Sequence, residues 1–225
     1  MSFNKKFSNC LRIVEKIEDR EITCFVFRKN VKYTRLEFRE NCLHLIVPYW
    51  FFDFRKIIEK KRKWILKKIE MIEKYLDDEK ENLEKFILFG KPFDLKDFNF
   101  DQNNENTTIK FLKNILLEKI EKIAKEYSEK LGVKYNKIIV RNQKTKWGSC
   151  SSKGNLSFNI KAISLPENLL RYLVYHEVAH LIEKNHGNGF ISLIKKEFPD
   201  YEILEKELEK YWIVLNANIW WKKII

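Results

Sequence analysis

Three of the four histidines of this chain lie within one short segment, Tyr175–His186. His176 and His180 are four residues apart, so on a helix both imidazoles project from one face, one turn apart. Two imidazoles at this spacing can bind one zinc ion. Glu177 projects about 100° around the helix from His176, which suits a general base for a zinc-activated water. The segment therefore predicts metal-assisted hydrolysis.

The metal site needs one more protein ligand, because a catalytic zinc ion normally keeps three ligands and one open position. His186 follows His180 by six residues, which is too far for the two to share one face of a straight helix. It reaches the metal if the helix stops near Lys184 and the chain turns back. A glutamate of a later helix, Glu202 or Glu205, is the alternative third ligand, and His186 is favoured.

The elements that position this segment follow from the spacing of apolar residues. Ser164 and Glu167 have the spacing of a capping box and predict where the metal-binding helix begins. In chain order the second half is predicted to contain a helix ending near Gly132, a strand at 137–142, a loop at 143–154, a strand at 155–160, a helix at 166–184 and two helices near 188–197 and 201–214.

The first half predicts four strands over residues 9–52, because β-branched and aromatic residues there partly alternate with polar ones. Asp53 is a suitable N-cap for a following basic helix, and Gly90–Pro92 predicts a hairpin. The polar run 101–108 is the best linker candidate. We therefore expect an α+β protein with a β-rich region at 1–100, including the basic helix and the hairpin, and a catalytic domain at 108–225.

Composition excludes several classes of protein. The 225 residues include 6 glycines and 4 prolines, and 44% are hydrophobic, which excludes disordered and fibrous chains. No apolar run is long enough to span a membrane, and the first residues have no apolar signal-peptide core. We expect a cytoplasmic protein without membrane association, and the sequence does not set its oligomeric state.

The chain is basic, with a formal net charge of +12. The stretch Arg55–Lys68 concentrates cationic side chains with one acidic residue, Glu59, and could follow a phosphate backbone. A solvated helix face is the alternative interpretation. Nucleic acid is therefore a candidate partner at this helix.

The predicted strand at 155–160 is a candidate for binding substrate. If it lies at a sheet edge above the metal, an extended peptide can pair with it as an added strand, so Asn155 and Asn159 are candidate contacts. An ordinary core strand is the alternative. Arg141, in the neighbouring predicted strand, is a candidate for polarising a substrate oxygen, and a surface or structural ion pair is its alternative role.

The predicted loop before that strand contains Trp147, Ser149 and Cys150. These residues are candidates for shaping the substrate pocket, and a Cys150 thiolate could occupy the open metal position in a latent state. The alternative is that Trp147 anchors the core and Cys150 is a small buried apolar residue.

The segments HEVAHLIEKNH and KTKWGSCSSKGNLSFN resemble the YgjP-like family of predicted zinc-dependent hydrolases, which look like zincin-type metallopeptidases. The order of motifs matches over most of the chain, including Trp64-Ile65 and the Gly90–Pro92 hairpin. The resemblance implies a zincin-like fold, one zinc ion on His176, His180 and His186, and Glu177 as the catalytic carboxylate.

The ligand spacing is shared with metzincins and with the WLM and SprT-like proteases. Metzincins have glycine where this chain has Glu183, and their methionine turn follows the motif, whereas Met1 and Met71 precede it here. A metzincin proper is therefore disfavoured. We expect a zinc metallopeptidase that hydrolyses peptide bonds. The alternatives are a zinc-dependent hydrolase of nucleotide phosphoanhydrides and a basic nucleic-acid-associated protein or protease.

Overall fold

The computed structural model describes residues 10–93 and 105–224, without the side chains of residues 105 and 106. The chain divides into two compact units, Met1–Asp78 and Glu79–Ile225. This division precedes the predicted one at 100–108, because the hairpin packs with the elements that follow it. Residues 101–104 of the predicted linker lie outside the described residues, and residues 105–108 are helical. In the described residues, no helix combines the length and apolarity needed to cross a bilayer.

The first unit contains a four-stranded sheet, as the alternation of residues predicts. The strands pair in the order β1-β2-β4-β3, with β2 and β4 parallel and the other two pairs antiparallel. Glu40 and Asn41 both have positive φ in the tight turn that joins β3 to β4. The strands are β1 (Cys10–Ile17), β2 (Arg20–Lys29), β3 (Arg35–Arg39) and β4 (Cys42–Pro48).

Two helices complete the first unit, α1 (Phe54–Lys60) and α2 (Arg62–Asp78). Asp53 caps α1 as predicted, since its Oδ1 accepts from the backbone N–H of Lys56 at 3.2 Å. The predicted basic helix is divided at Lys61 into α1 and α2. Buried side chains of the sheet and helices form one core, which includes Cys24, Val26, Leu43, Leu45, Ile58 and Ile65.

The second unit packs helices against a small sheet and a hairpin. The hairpin turns through Phe89 and Gly90, both with positive φ, and their N–H groups donate to the carbonyl oxygens of Ile163 and Ser164. The elements are β5 (Phe86–Leu88), β6 (Lys91–Phe93), α3 (Glu105–Leu131), β7 (Lys137–Arg141), β8 (Gly148–Cys150), β9 (Asn155–Asn159), α4 (Glu167–Ala179), α5 (Asn188–Glu197), α6 (Tyr201–Ala217) and α7 (Ile219–Ile224).

The core of the second unit forms around α4, which is buried along most of its length. The apolar stripe of α3 packs against it, together with side chains of β9, α5 and α7. The amphipathic helices α3 and α5 each bury one apolar face here, as their periodicity predicts, whereas α4 is buried on most sides. The fold is therefore α+β. Core residues contributed by different elements include Leu116, Ile120, Phe158, Leu170, Val174, Phe190 and Trp221.

Four expectations for this unit were wrong. The predicted loop 143–154 contains strand β8, and β9 is the central strand of a sheet with the order β7-β9-β8, so residues 155–160 are not a sheet edge. The metal-binding helix ends at Ala179 rather than Lys184. Ser164 does not cap α4, which has no side-chain cap. The Ser164 hydroxyl instead accepts a hydrogen bond from Trp221 Nε1 at 3.2 Å.

Candidate metal centre

The three histidines of the predicted motif converge where α4 ends. His176 lies in the last turn of α4, and His180 directly follows it as the C-cap residue. The chain then turns back, which brings His186 Nε2 within 3.1 Å of both His176 Nε2 and His180 Nε2. The helix therefore ends early enough for the chain to turn back and bring His186 to the other two histidines, which was the expected effect of an end near Lys184.

The orientation of His180 leaves one ring nitrogen available as a ligand. Its Nδ1 lies 2.9 Å from the carbonyl oxygen of Glu183, and because a carbonyl only accepts, Nδ1 carries the proton. The Nε2 lone pair of the neutral ring then points at His186. A carbonyl contact of this kind is the usual way in which a metal-binding imidazole is oriented.

Phe190 packs against all three imidazoles. Its ring stacks on His180 with centroids 4.5 Å apart, and it meets His176 and His186 edge-on at 4.9 and 4.8 Å. Phe190 is buried in the first turns of α5. Phe190 was not among the site residues predicted from the sequence. Its position in the predicted helix 188–197, four residues after His186, is a signal that could have identified it.

Burial keeps His176 neutral. Desolvation, reinforced by the neighbouring His180 and His186, lowers the pKa of His176 to about 3. Metal ligation requires a deprotonated imidazole, so this environment favours the ligating form.

These residues fit a zinc ion. Tetrahedral zinc with Zn–N bonds of 2.0–2.1 Å separates its ligand nitrogens by roughly 3.3 Å. The 3.1 Å separations match this value, and the three donor atoms all lie within 4.8 Å of one another. Among the described residues this group contains neither Cys150 nor the alternative ligands Glu202 and Glu205.

Glu177 follows the first histidine and is buried, with 5% of its surface exposed. Burial raises the pKa of its carboxyl to about 8, and the positive charge of Lys146 opposes this rise. Its Oε2 has no hydrogen-bond partner within the described part of the chain. A buried carboxyl without a partner favours a role with a bound ligand over a role in stability.

A pocket of about 370 Å³ opens beside His176 and Glu177. Trp147 forms part of its wall, where its ring meets Trp212 edge-on at 5.1 Å and its Nε1 donates to the carbonyl oxygen of Leu208 at 3.1 Å. Trp147 therefore serves both as an anchor and as pocket wall. The remaining lining residues are Thr145, Lys146, Gly148, Tyr172, Leu173, Glu205 and Glu209.

The two candidate asparagines form structural hydrogen bonds at the two ends of β9. Asn159 is fully buried, and its Nδ2 donates to the carbonyl oxygens of Gln143 at 2.6 Å and Lys146 at 3.0 Å. Asn155 Oδ1 accepts from Asn136 Nδ2 at 2.8 Å. Neither asparagine lines the pocket. The contacts of Asn159 fix the loop that leads to Trp147.

The other candidates lie on or near the small sheet. Side chains alternate along β8, so Gly148 and Cys150 share one face and Ser149 the other. Burial raises the pKa of the Cys150 thiol, which opposes the thiolate of the latent state. Arg141 is exposed at the end of β7. These three candidates, Arg141, Ser149 and Cys150, are not among the residues that line the pocket.

Known proteins were compared with this chain. A family model described as YgjP-like, metallopeptidase domain, matches residues 97–211, just over half of the chain. A search of curated protein sequences gave no match.

Two solved structures share local similarity. The metallopeptidase zymogen abylysin of Pyrococcus abyssi is 22% identical, with a TM-score of 0.37, and the match covers 40% of this chain and 90% of that one. The metallopeptidase zymogen jannalysin of Methanocaldococcus jannaschii is 31% identical, with a TM-score of 0.35, and the match covers 40% and 91%. The family match confirms the resemblance found in the sequence, and the chain belongs to the YgjP-like family of metallopeptidases.

Proposed function

We propose that this metallopeptidase is zinc-dependent and hydrolyses peptide bonds, with Glu177 as the general base. The observation that carries the proposal is the convergence of three imidazole nitrogens, with His186 Nε2 at 3.1 Å from each of the other two, beside a buried carboxylate. Imidazole ligands at this spacing are typical of zinc.

The residues of this chain divide the chemistry between them. His176, His180 and His186 would hold the metal, which when bound supplies Lewis-acid polarisation of a carbonyl and lowers the pKa of water. Glu177 takes a proton from the attacking water and delivers it to the leaving amine.

The peptide substrate is proposed to lie along β8 rather than along residues 155–160. β8 is an edge strand of its sheet, and Gly148 lies against the Glu177 side chain. A peptide pairing with the outer edge of β8 would pass directly over the catalytic carboxylate. Gly148 leaves room for the peptide beside Glu177, since a larger residue would occupy that space.

The test is proteomic profiling of a complex peptide library incubated with zinc-loaded protein. We expect cleavage that stops when the metal is chelated and that is absent from a zinc-loaded Glu177→Gln protein. Equal cleavage by both proteins would contradict the role of Glu177 as general base. Absence of peptide cleavage, with phosphate released from nucleoside triphosphates, would replace the proposal with the phosphoanhydride alternative.

A nucleic acid partner at the basic residues 55–68 stays a prediction. Two of the cations there form ion pairs, Arg55 with Glu15 at 2.9 Å and Arg62 with Glu59 at 3.3 Å. These pairs reduce the charge that a phosphate backbone would meet. Reversing the charges of Lys60, Lys61 and Lys63 should abolish salt-sensitive DNA or RNA binding if this helix is the interface, and unchanged binding would exclude it.

A further inference from the structure

The pocket beside the metal centre carries negative charge, although the chain as a whole is strongly basic. Glu205 and Glu209 are one helical turn apart on α6, and both line the pocket whose opposite wall includes His176 and Glu177. Lys146 contributes one positive charge to the same lining. The lining of this pocket therefore contains two α6 carboxyl groups and one lysine.

The walls between these charges are apolar and aromatic. Leu173 of α4 and Leu208 of α6 line the pocket together with the edge-to-face indole pair Trp147 and Trp212. Its volume of about 370 Å³ lies at the lower end of the roughly 300–1,000 Å³ of small-molecule sites. This size suits one side chain better than an extended segment of peptide.

Glu205 is held in place by a tyrosine of α4. Tyr172 is buried one helical turn before His176, and its hydroxyl donates to Glu205 Oε1 at 3.0 Å. The bond fixes the orientation of the carboxylate and leaves its second oxygen able to accept from a ligand. Since the donor lies on the metal-binding helix, the position of Glu205 is tied to the position of the metal ligands.

We propose that this pocket binds a lysine or arginine side chain of the substrate, adjacent to the bond that is cleaved. The aliphatic stem would lie against the indole rings and leucines, and the cationic tip would meet Glu205 and Glu209. Glu177 lines the same cavity, so a residue seated here lies beside the proposed catalytic carboxyl group. The proposal rests on the proposed peptidase function and specifies its substrate class.

The test compares two short alanine-rich peptides of equal length that differ only in lysine or norleucine at one central position. We expect wild-type kcat/KM to favour lysine by about tenfold or more, as hydrogen bonds to charged groups commonly contribute. The double substitution Glu205→Gln and Glu209→Gln should bring the ratio of lysine-peptide to norleucine-peptide kcat/KM close to one. Glu207→Gln, on the same helix but outside the pocket lining, is the matched control and should keep the preference.

A second measurement separates failure of this inference from failure of the peptidase assignment. Fluorescence anisotropy of both labelled peptides with the Glu177→Gln protein reports binding without cleavage. Tighter binding of the lysine peptide, lost on substituting Glu205 and Glu209, supports the pocket even if no turnover is found. Equal binding of the two peptides, or a preference that survives the double substitution, overturns the proposal.

Discussion

Gly148 lies directly against the carboxylate of Glu177. A Cβ built at Gly148 would be 2.4 Å from Glu177 Oε1 and 2.8 Å from its Cδ, closer than real Cβ atoms approach other groups. The edge strand β8 and the buried carboxylate of α4 are therefore in contact because this residue has no side chain. This contact explains why a glycine begins the strand that is proposed to bind substrate.

Replacing Gly148 with alanine should displace the Glu177 carboxylate and lower peptidase activity by about 10²-fold, because small misplacements of a catalytic group have large effects. Zinc content should stay at the wild-type level, since the histidines are not displaced. Steady-state cleavage assays with metal analysis provide the measurement. Gly187→Ala is the control, because a Cβ there meets nothing within 4 Å. Equal activity of the two variants would contradict the proposed contact.

Replacing His186 with alanine should weaken zinc binding by on the order of 10²-fold or more, because it removes one of three ligands. Chelator competition measures the affinity, and the zinc-induced rise in unfolding temperature should shrink in parallel. Glu205→Gln tests the alternative third ligand and should retain wild-type zinc affinity. The ligand assignment fails if the His186 variant binds zinc as tightly as the wild type.

Asn159→Ala should destabilise the chain by about 2–4 kcal/mol, because two carbonyl oxygens lose their buried donor. Those carbonyls belong to Gln143 and Lys146 in the loop before β8. Asn155→Ala, at the other end of β9, should cost about 1 kcal/mol or less, since its side-chain bond to Asn136 is exposed. Urea unfolding of the two variants checks this ranking. Similar losses would argue against a structural role specific to Asn159.

His44 should make the chain less stable in mild acid. Burial, reinforced by Arg39, lowers the pKa of His44 below its ordinary value of 6.5, and its Nδ1 is buried without a hydrogen-bond partner among the described residues. Above pH 6.5 the folded and unfolded states are both neutral at this residue. As the pH falls below 6.5, the unfolded state binds the proton more readily, so stability declines.

The measurement is the urea midpoint at pH 7.5 and at pH 5.5 for wild type and His44→Phe. Phenylalanine suits a ring that packs between Phe25 and Phe27, with centroids 5.6 and 5.1 Å away. Acidification should lower the wild-type midpoint more than the variant midpoint. An identical change in both proteins would show that His44 does not titrate differently on unfolding.

The sequence predicted those features that depend on local periodicity. All four strands of the first unit follow from alternation of apolar and polar residues within 9–52. The spacing of the histidines likewise predicted a common site, because one helical turn separates His176 from His180. Local signals of this kind survive without knowledge of the tertiary fold.

The features that the sequence did not predict depend on contacts between distant residues. β8 has three small residues and no apolar alternation, so only its pairing with β9 defines it as a strand. The end of α4 was placed too late because Leu181 and Ile182 continue the apolar pattern beyond Ala179. Ser164 has the local spacing of a cap, but its hydroxyl instead bonds Trp221 from the end of the chain.

The most direct test asks whether Glu177 is the general base of peptide hydrolysis. It measures the cleavage rate of one peptide, identified by library profiling, for wild type and Glu177→Gln. The zinc content of both proteins is determined alongside. Loss of the general base should lower kcat by about 10²–10⁴-fold. We expect this loss at equal zinc content, because Glu177 lies beside the three histidines but is not part of the candidate ligand group. A zinc-loaded Glu177→Gln protein that cleaves at the wild-type rate would contradict it.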